Sequence, residues 1–259
     1  MDFNETKNAS SKAECYASCE AFCKNSKNAH DDIMQCALPK TQLLHNSLEN
    51  SKVIIDFKSI SPKDGDLFRG RNPVEVAKQL ERAGVFGLSV VTEAEHFGGS
   101  LDLLRSIANA VKLPVLRKDF IKSEDDLRKT LDCGATHVLL ICATMDNVGE
   151  MYEKSLELGL IPVVEVHTFE EMEFAKSLGA KVIGINNKDI TILEKDNGAV
   201  DLTVDLISVA PKDAFIISES GIRNRADAEI ALQHGANAVL VGTAFWNGEF
   251  KMQSTTDIK

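Results

Sequence analysis

The stretch VIIDFKSISPKDG, Val53–Gly65, opens the regular part of the chain and decides which parallel-sheet fold follows. Its first residues are apolar and mostly β-branched, which predicts a buried strand. The turn SISPKDG lacks the glycine-rich loop that an open dinucleotide-binding sheet carries after its first strand. The stretch therefore favours a closed barrel. It also raises a chemical question, because Asp56 and Lys58 end the strand on one face, and buried charges must be paired or used.

Seven further apolar runs follow at regular intervals, and each predicts a strand. They are GLSVVT from Gly87, PVLRKDF from Pro114, HVLLIC from His137, PVVEV from Pro162, VIGIN from Val182, AFIISES from Ala214 and AVLVGT from Ala238. Amphipathic segments separate them, with predicted helix N-caps at Ser123, Asp146, Thr168 and Asn224. Eight strands that alternate with helices predict an α/β fold, a (β/α)8 TIM barrel.

The two ends of the chain do not share this rhythm. Residues 1–50 are polar and contain four of the six cysteines, so we expect an N-terminal extension that is partly helical or disordered. The barrel is predicted to span 51–248 and a C-terminal tail 249–259. The sequence after the eighth strand, GTAFWNGEFKMQSTTDIK, has little helical periodicity, which predicts a short or missing eighth helix. The apolar residues that could cover the barrel there are Phe245, Trp246, Phe250 and Met252.

Three cysteines of the extension, Cys15, Cys19 and Cys23, are four residues apart, and Cys36 follows downstream. On a helix this spacing places the three thiols on one stripe. Two hypotheses follow: a zinc or iron–sulfur site of four thiolates, or a helix that packs its small apolar thiols on the barrel. The spacing matches no two-residue metal signature, so packing is favoured and no metal is predicted. The two remaining cysteines, predicted to be core residues, are Cys133 and Cys142.

The charge of the chain restricts its partners. The net charge is −10 and the isoelectric point is about 5.1, which argues against binding to nucleic acid or to an anionic membrane. No apolar run approaches the roughly 20 residues of a membrane span, and the first residues lack the apolar core of a signal peptide. These features predict a cytoplasmic protein.

Polar residues recur where the predicted strands end, which is where a TIM barrel places its active site. They are Asp56, Lys58 and Ser61 after the first strand, Lys118 in the third, Glu165 in the fifth, Asn186, Asn187 and Lys188 at the sixth, Glu219, Ser220 and Gly221 at the seventh, and Gly242 and Thr243 at the eighth. Each alone could be a solvated strand end or an ion pair. As a set they predict a catalytic mouth. The glycines beside hydroxyl residues at the last two strands predict a phosphate site.

The motifs around these residues, in chain order, are IIDFKSISPKDG, SVVTEAEHFGGS, LRKDFI, VVEV, IGINNKDI, ISESGI and VLVGTA. They resemble the motifs of the indole-3-glycerol phosphate synthase family of tryptophan biosynthesis over Val53–Trp246, about three quarters of the chain. The resemblance implies a carboxy-lyase that closes the indole ring of 1-(2-carboxyphenylamino)-1-deoxyribulose 5-phosphate. Carbon dioxide and water leave, and no metal or organic cofactor is implied.

The resemblance also implies roles for the catalytic residues. Lys118 would be the general acid at the carbonyl and Glu165 the general base, which is chemistry that these side chains can perform. Lys58 would lie near the phosphate and could also act as an acid in the dehydration. Asn186 would orient the hydroxyl groups of the intermediate, and Asp56 would be a further catalytic carboxylate.

The remaining implied residues bind the substrate. Ser220, Gly221, Gly242 and Thr243 would bind its phosphate together with Lys58. Phe97 and Phe120 would form the apolar wall for its aromatic ring, although either could equally be a core residue. Further substrate contacts are implied for Ser61, Lys188 and Glu219.

The sequence departs from the family pattern within the site. Asp56 stands where the family usually has Glu, so the carboxylate is on a shorter side chain. Lys188 stands where the family usually has Arg, so the planar guanidinium that could bind a substrate carboxylate is absent. Lys63 and Asp64 replace small and basic residues. Two alternatives stay open at this point: a diverged relative that acts on a similar phosphorylated substrate, and a non-catalytic barrel that binds a phosphorylated ligand. A homo-oligomer or a partner enzyme of the pathway is compatible with the sequence.

Overall fold

The computed structural model describes residues 50–193 and 198–252, and within them eight parallel strands close into a barrel. This confirms the predicted (β/α)8 fold. The strands are β1 (Val53–Phe57), β2 (Ile60–Ser61), β3 (Gly65–Asp66), β4 (Gly87–Val91), β5 (Val115–Lys118), β6 (His137–Ile141), β7 (Ile161–Val166), β8 (Val182–Asn186), β9 (Phe215–Glu219) and β10 (Ala238–Val241). β2 and β3 form a separate antiparallel hairpin after β1, and the other strands form the barrel in chain order, with β10 pairing β1.

A helix follows each barrel strand along the chain. They are α1 (Pro73–Arg82), α2 (Leu101–Ala110), α3 (Glu124–Asp132), α4 (Val148–Glu157), α5 (Phe169–Ser177), α6 (Asp201–Ile207), α7 (Arg225–Gln233) and α8 (Thr243–Trp246). Short 3-10 helices cover Asn50–Lys52, Cys142–Thr144 and Ile190–Ile192. None of the helices in the described ranges is long and apolar enough to cross a membrane.

Side-chain caps define most helix starts. Ser123, Thr168 and Asn224 accept hydrogen bonds from the first turn of their helices, as predicted. The prediction of Asp146 as an N-cap is wrong. The chain turns once more before α4, so the cap position falls on Asn147, whose side chain makes no capping hydrogen bond.

The alternation of side chains along β1 separates the core from the site. Val53, Ile55 and Phe57 are buried in the apolar layer between the strands and the helices. Because successive side chains of a strand point to opposite faces, Ile54 and Asp56 point to the barrel interior. The same pleat therefore places apolar residues against the helices and a carboxylate inside.

The barrel wall after β10 is completed by very few residues. α8 has only four residues, which confirms the prediction of a short eighth helix. The residues that fill the space are buried: Phe245, Trp246, Phe250 and Met252. The Trp246 ring packs on Phe57 and Phe68, with ring centroids 5.2 and 4.7 Å away, and its indole N–H donates a 2.7 Å hydrogen bond to the carbonyl of Asp56.

The cysteines divide between described and undescribed parts of the chain. Cys133 is buried in the core, as predicted. Cys142 is only partly buried, at the edge of the apolar layer, and burial, followed by the charges of Glu171 and Glu165, raises the pKa of its thiol to about 12. The predictions for Cys15, Cys19, Cys23 and Cys36 lie outside the described residues.

Candidate active site

A pocket opens at the carboxyl ends of the barrel strands, on the side where the sequence predicts the site. Its volume is about 410 Å³, including solvent space at its mouth. It is lined by Asp56, Lys58, Val91, Glu93, Phe97, Lys118, Asp119, Phe120, Leu139, Ile141, Glu165 and Ile190. Six of these were candidates from the sequence, and the other six were not, because isolated apolar or acidic residues carry no distinct signal.

The centre of the site is a lysine between two carboxylates. The Lys118 ammonium lies 2.5 Å from Oε2 of Glu219 and 3.5 Å from Oε2 of Glu165. The side chains of the two glutamates are 2–3% exposed and that of Lys118 is 13% exposed. Burying a carboxylate is costly unless an opposite charge lies close, and Lys118 supplies that charge to both. The geometry therefore holds Lys118 and Glu165 on the pocket wall, where a ligand could exchange protons with them, and it pairs Lys118 with Glu219, which does not line the pocket.

A glycine makes room for one of these carboxylates. A Cβ atom at Gly184 in β8 would lie 2.2 Å from Oε1 of Glu219, so this carboxylate occupies the space that any other residue would fill. A glycine inside a strand often marks such a close approach. The motif VIGIN therefore contained a signal for the position of Glu219 that the sequence argument did not use.

Asn186 supports the second carboxylate. Its amide nitrogen donates a 3.1 Å hydrogen bond to Oε1 of Glu165. Its amide oxygen accepts a 3.0 Å hydrogen bond from the backbone N–H of Lys188, which fixes the orientation of the amide. The structure thus places Asn186 where it orients Glu165. Lys188 is partly buried and does not line the pocket.

The two charged residues of the first strand lie on one side of the pocket. Asp56 is 4% exposed, and its Oδ2 lies 3.4 Å from the position that a Cβ on Gly242 would take. The Lys58 ammonium lies 5.3 Å from the centroid of the Phe97 ring, within the range of a cation–π contact. Lys58 therefore lies beside Phe97, and Asp56 lies beside Gly242, one of the residues predicted to bind phosphate.

The loop after β4 is held by Glu93, which the sequence argument missed. Its carboxylate accepts backbone hydrogen bonds from Glu95, His96 and Phe97 at 2.8–3.0 Å. Burial raises the pKa of Glu93, but these hydrogen bonds, with that of the His96 ring, outweigh burial and lower it overall. An ionised Glu93 therefore fixes the backbone that carries Phe97.

A second hydrogen-bond network, which the sequence did not predict, holds the backbone of Phe120. The Arg117 guanidinium donates to Thr92 at 2.9 Å and to Asp119 at 2.8 Å, and Thr92 donates to the same Asp119 oxygen at 2.5 Å. The other Asp119 oxygen accepts from the backbone N–H of Phe120 at 2.9 Å. Since Arg117 directly precedes Lys118, this network anchors the end of β5. Thr92 and Arg117 gave no sequence signal, because neither lies at a strand end facing the pocket.

Of the residues predicted to bind phosphate, Lys58 lines the pocket, and the others do not. Ser220 and Gly221 follow β9 with left-handed φ angles of 61° and 68°, and Gly242 precedes α8. Other candidates that do not line the pocket are Ser61, Asn186, Lys188, Glu219 and Thr243. The Ser61 hydroxyl accepts backbone hydrogen bonds from Lys63 and Asp64 and donates to the Asp64 carboxylate, so it shapes the turn of the hairpin.

Comparison with known proteins gives a consistent picture. The sequence profile of the family described as "Indole-3-glycerol phosphate synthase" matches residues 17–257. Indole-3-glycerol phosphate synthase of Thermococcus kodakarensis is 44% identical over 197 residues, which are 76% of this chain and 86% of the relative. The protein of that name from Streptococcus pneumoniae is 37% identical over 220 residues, 84% of this chain and 85% of the relative.

Solved structures show the same fold at low identity. N-acetylmannosamine-6-phosphate 2-epimerase from Clostridium perfringens aligns with a TM-score of 0.58 at 15% identity, covering 79% of this chain and 93% of that one. Thiamine phosphate pyrophosphorylase from Pyrococcus furiosus aligns with a TM-score of 0.56 at 15% identity, covering 76% and 88%. At this identity the likeness concerns the barrel alone.

Proposed function

This chain belongs to the indole-3-glycerol phosphate synthase family, and from that premise we propose how its residues carry out the family reaction. It is a carboxy-lyase that converts 1-(2-carboxyphenylamino)-1-deoxyribulose 5-phosphate to indole-3-glycerol phosphate, with loss of carbon dioxide and water. The alternatives of a changed substrate or a non-catalytic barrel are not favoured by relatives of this name at 36–44% identity.

The observation that carries the assignment of roles is the ammonium of Lys118 between Glu219 and Glu165 at the base of the pocket. We assign Lys118 as the general acid that protonates the ketone oxygen when the aromatic ring attacks. Loss of carbon dioxide restores the benzene ring, and Glu165 is the general base that takes a proton from the methylene carbon of the new five-membered ring when the hydroxyl group leaves as water. Glu219 holds the Lys118 ammonium in place, and Asn186 holds the Glu165 carboxylate.

The remaining groups position the substrate. The aromatic ring lies between Phe97 and Phe120, which line the pocket. Lys58, beside Phe97, faces the phosphate end and supplies the proton for loss of the hydroxyl group. Asp56 contributes a further carboxylate beside it. Residues that would contact the substrate beyond the pocket wall are Ser61 and Lys188, and those that would bind its phosphate are Ser220, Gly221, Gly242 and Thr243.

Substitution of the central lysine tests this assignment. We expect Lys118→Met to lower kcat by a factor of about 100 or more, because loss of a positioned general acid typically costs that much. The measurement is the appearance of indole fluorescence from the substrate. The matched control is Lys181→Met, which removes an ion pair with Asp213 before β8, at the opposite end of the barrel. If Lys118→Met turned over as fast as the control, Lys118 would not be the acid.

The substrate is a phosphorylated small molecule, and we propose that the enzyme meets it in the cytoplasm. The proposal rests on the biosynthetic family to which the chain belongs. Cell fractionation with an antibody against the chain would test it. Association with a second copy or with a neighbouring enzyme of the pathway remains a proposal from the sequence, to be tested by sedimentation.

A further inference from the structure

Asn187, the second asparagine of the motif IGINNKDI, makes an extensive set of hydrogen bonds although it lies outside the pocket wall. It is 3% exposed, directly after β8, and does not line the pocket. Its backbone N–H donates to the carbonyl of Glu219 at 2.9 Å. A buried side-chain amide must satisfy both its donors and its acceptor, so its partners show what it holds in place.

The amide nitrogen of Asn187 lies 3.0 Å from three oxygens: the carbonyls of Glu219 and Ser220 and the hydroxyl of Ser218. Its amide oxygen accepts from the backbone N–H and the hydroxyl of Thr203 in α6, at 3.1 and 2.8 Å. A backbone N–H can only donate and a carbonyl can only accept, so these partners fix the orientation of the amide. Asn187 therefore ties α6 to the backbone that leaves β9.

The backbone held in this way is strained. Ser220 has a φ of 61°, a left-handed conformation that costs a residue other than glycine roughly 1 kcal/mol or more and persists only where its surroundings enforce it. In a trans peptide the carbonyl and the following N–H point in opposite directions, and the described residues contain no cis peptide. Because Asn187 binds the carbonyls of Glu219 and Ser220, the N–H groups of Ser220 and Gly221 point away from it.

Close packing beneath the turn prevents it from relaxing. A Cβ on Gly221 would lie 2.7 Å from the carbonyl oxygen of Gly198, and a Cβ on Gly198 would lie 2.0 Å from the carbonyl oxygen of Asn187. The three backbone segments thus approach each other as closely as glycine allows. The turn after β9 has little freedom as long as Asn187 keeps its hydrogen bonds.

We propose that Asn187 is a positioning residue that presets the N–H groups of Ser220 and Gly221 for the phosphate of the substrate. This inference rests on the proposed function, in which Ser220 and Gly221 bind that phosphate. Asn187 does not touch the ligand. Its hydrogen bonds turn the carbonyls of Glu219 and Ser220 away from the phosphate, so that the N–H groups of Ser220 and Gly221 face it. Binding then does not have to reorganise the turn.

Kinetics of Asn187→Ala separate this role from a purely structural one. We expect KM to rise about tenfold or more while kcat changes by no more than about threefold, since the reacting atoms are elsewhere. The inhibition constant of inorganic phosphate as a competitor should rise by a similar factor. The milder variant Thr203→Val removes one hydrogen bond to Asn187 and should raise both values by about threefold.

The matched control is Asn237→Ala at the opposite end of β9. Asn237 also accepts a backbone hydrogen bond, from Ile216 at 2.7 Å, so its loss should lower stability without changing the KM or the phosphate inhibition constant. If both Asn187→Ala and Thr203→Val kept the phosphate inhibition constant of the control, the proposal would be wrong. If Asn187→Ala did not fold, Thr203→Val alone would decide.

The test also separates this inference from the proposed function. If the unmodified enzyme produced no indole-3-glycerol phosphate, the proposed function would fail, whatever the variants did. Binding of inorganic phosphate, measured by phosphorus NMR line broadening, would then still compare the unmodified chain with Thr203→Val and Asn237→Ala. Equal binding by all three would overturn the role of Asn187, and weaker binding by Thr203→Val alone would support it.

Discussion

At the residue scale, a missing side chain in this enzyme matters as much as a functional group, because it leaves space that a neighbouring side chain occupies. Glu219 reaches Lys118 because Gly184 has no side chain, and the two charged residues are 101 positions apart in sequence. Lys118 in turn lies at the end of a strand anchored by Arg117. The position of the ammonium therefore depends on neighbours that do not line the pocket.

The substitution Gly184→Ala tests this dependence. The added methyl would meet the end of the flexible Glu219 side chain, so we expect the barrel to fold while the carboxylate moves away from Lys118. An error of this size in the position of a catalytic partner should lower kcat by about 10- to 100-fold. Stopped assays of indole-3-glycerol phosphate formation would measure the effect, together with urea unfolding to check the fold.

The control for this substitution is Gly149→Ala in α4, where the new Cβ would meet only Leu178 at an ordinary contact distance of 3.8 Å. Alanine is favoured over glycine in a helix by about 1 kcal/mol, so this variant should be slightly more stable and equally active. Unchanged kcat in Gly184→Ala would show that Glu219 need not lie beside Lys118.

At the scale of the secondary-structure elements, the residues at the ends of helices and strands position the site and complete the barrel wall. Thr168 and Glu171 form a reciprocal capping box at the start of α5, directly after the strand that carries Glu165. α8 is the opposite case. It has only four residues, and side chains beyond it complete the wall of the barrel. The element that would be expected to seal the barrel is replaced by an aromatic cluster.

The substitution Trp246→Phe tests how this cluster supports the site. It keeps an aromatic ring against Phe57 but removes the N–H that binds the carbonyl of Asp56. Loss of a buried hydrogen bond should lower the free energy of unfolding by about 1–3 kcal/mol. We also expect a lower kcat, because Asp56 is proposed to be one of the catalytic carboxylates. Thermal unfolding and steady-state kinetics would measure both effects.

A matched variant removes packing alone. Phe68→Leu weakens the ring contact with Trp246, 4.7 Å between centroids, and leaves the hydrogen bond to Asp56 in place. This variant should lose stability while kcat stays within about twofold. If Trp246→Phe lost no more activity than Phe68→Leu, the hydrogen bond would serve the fold and not the site.

For the molecule as a whole, a histidine that is neutral in the folded protein couples stability to pH. His137 lies at the start of β6, and burial lowers the pKa of its imidazole to about 4, against about 6.5 in an unfolded chain. Between these values the unfolded chain binds a proton that the folded protein does not. The stabilisation is therefore complete above pH 6.5 and is lost as the pH falls towards 4.

The variant His137→Gln should lose less stability on acidification than the unmodified enzyme. Between pH 7.5 and pH 5.0 we expect the difference to be at most about 2 kcal/mol, and smaller if solvent screens the half-buried ring. Urea unfolding of both proteins at the two pH values would measure it. Equal losses would show that His137 does not contribute to the pH dependence.

The order and type of the barrel strands and helices were predictable from the sequence, whereas the β2–β3 hairpin was not predicted. The apolar runs, the strand-to-helix rhythm, three of four proposed caps and the short last helix follow from patterns within about ten residues. Strand ends then located Lys118 and Glu165 at one mouth, because parallel strands of a barrel all point the same way. Asp146 failed as a cap, since the exact first residue of a helix depends on the turn before it.

Only the tertiary structure decided which of these groups touch. The 2.5 Å contact of Lys118 with Glu219, the network of Arg117 with Thr92 and Asp119, and the hold of Asn187 on Ser220 each join separate strands. Local periodicity reports which way a side chain faces, but distances of a few ångströms depend on how the strands are staggered when the barrel closes. That stagger comes from packing over the whole chain, and no single stretch of sequence contains it.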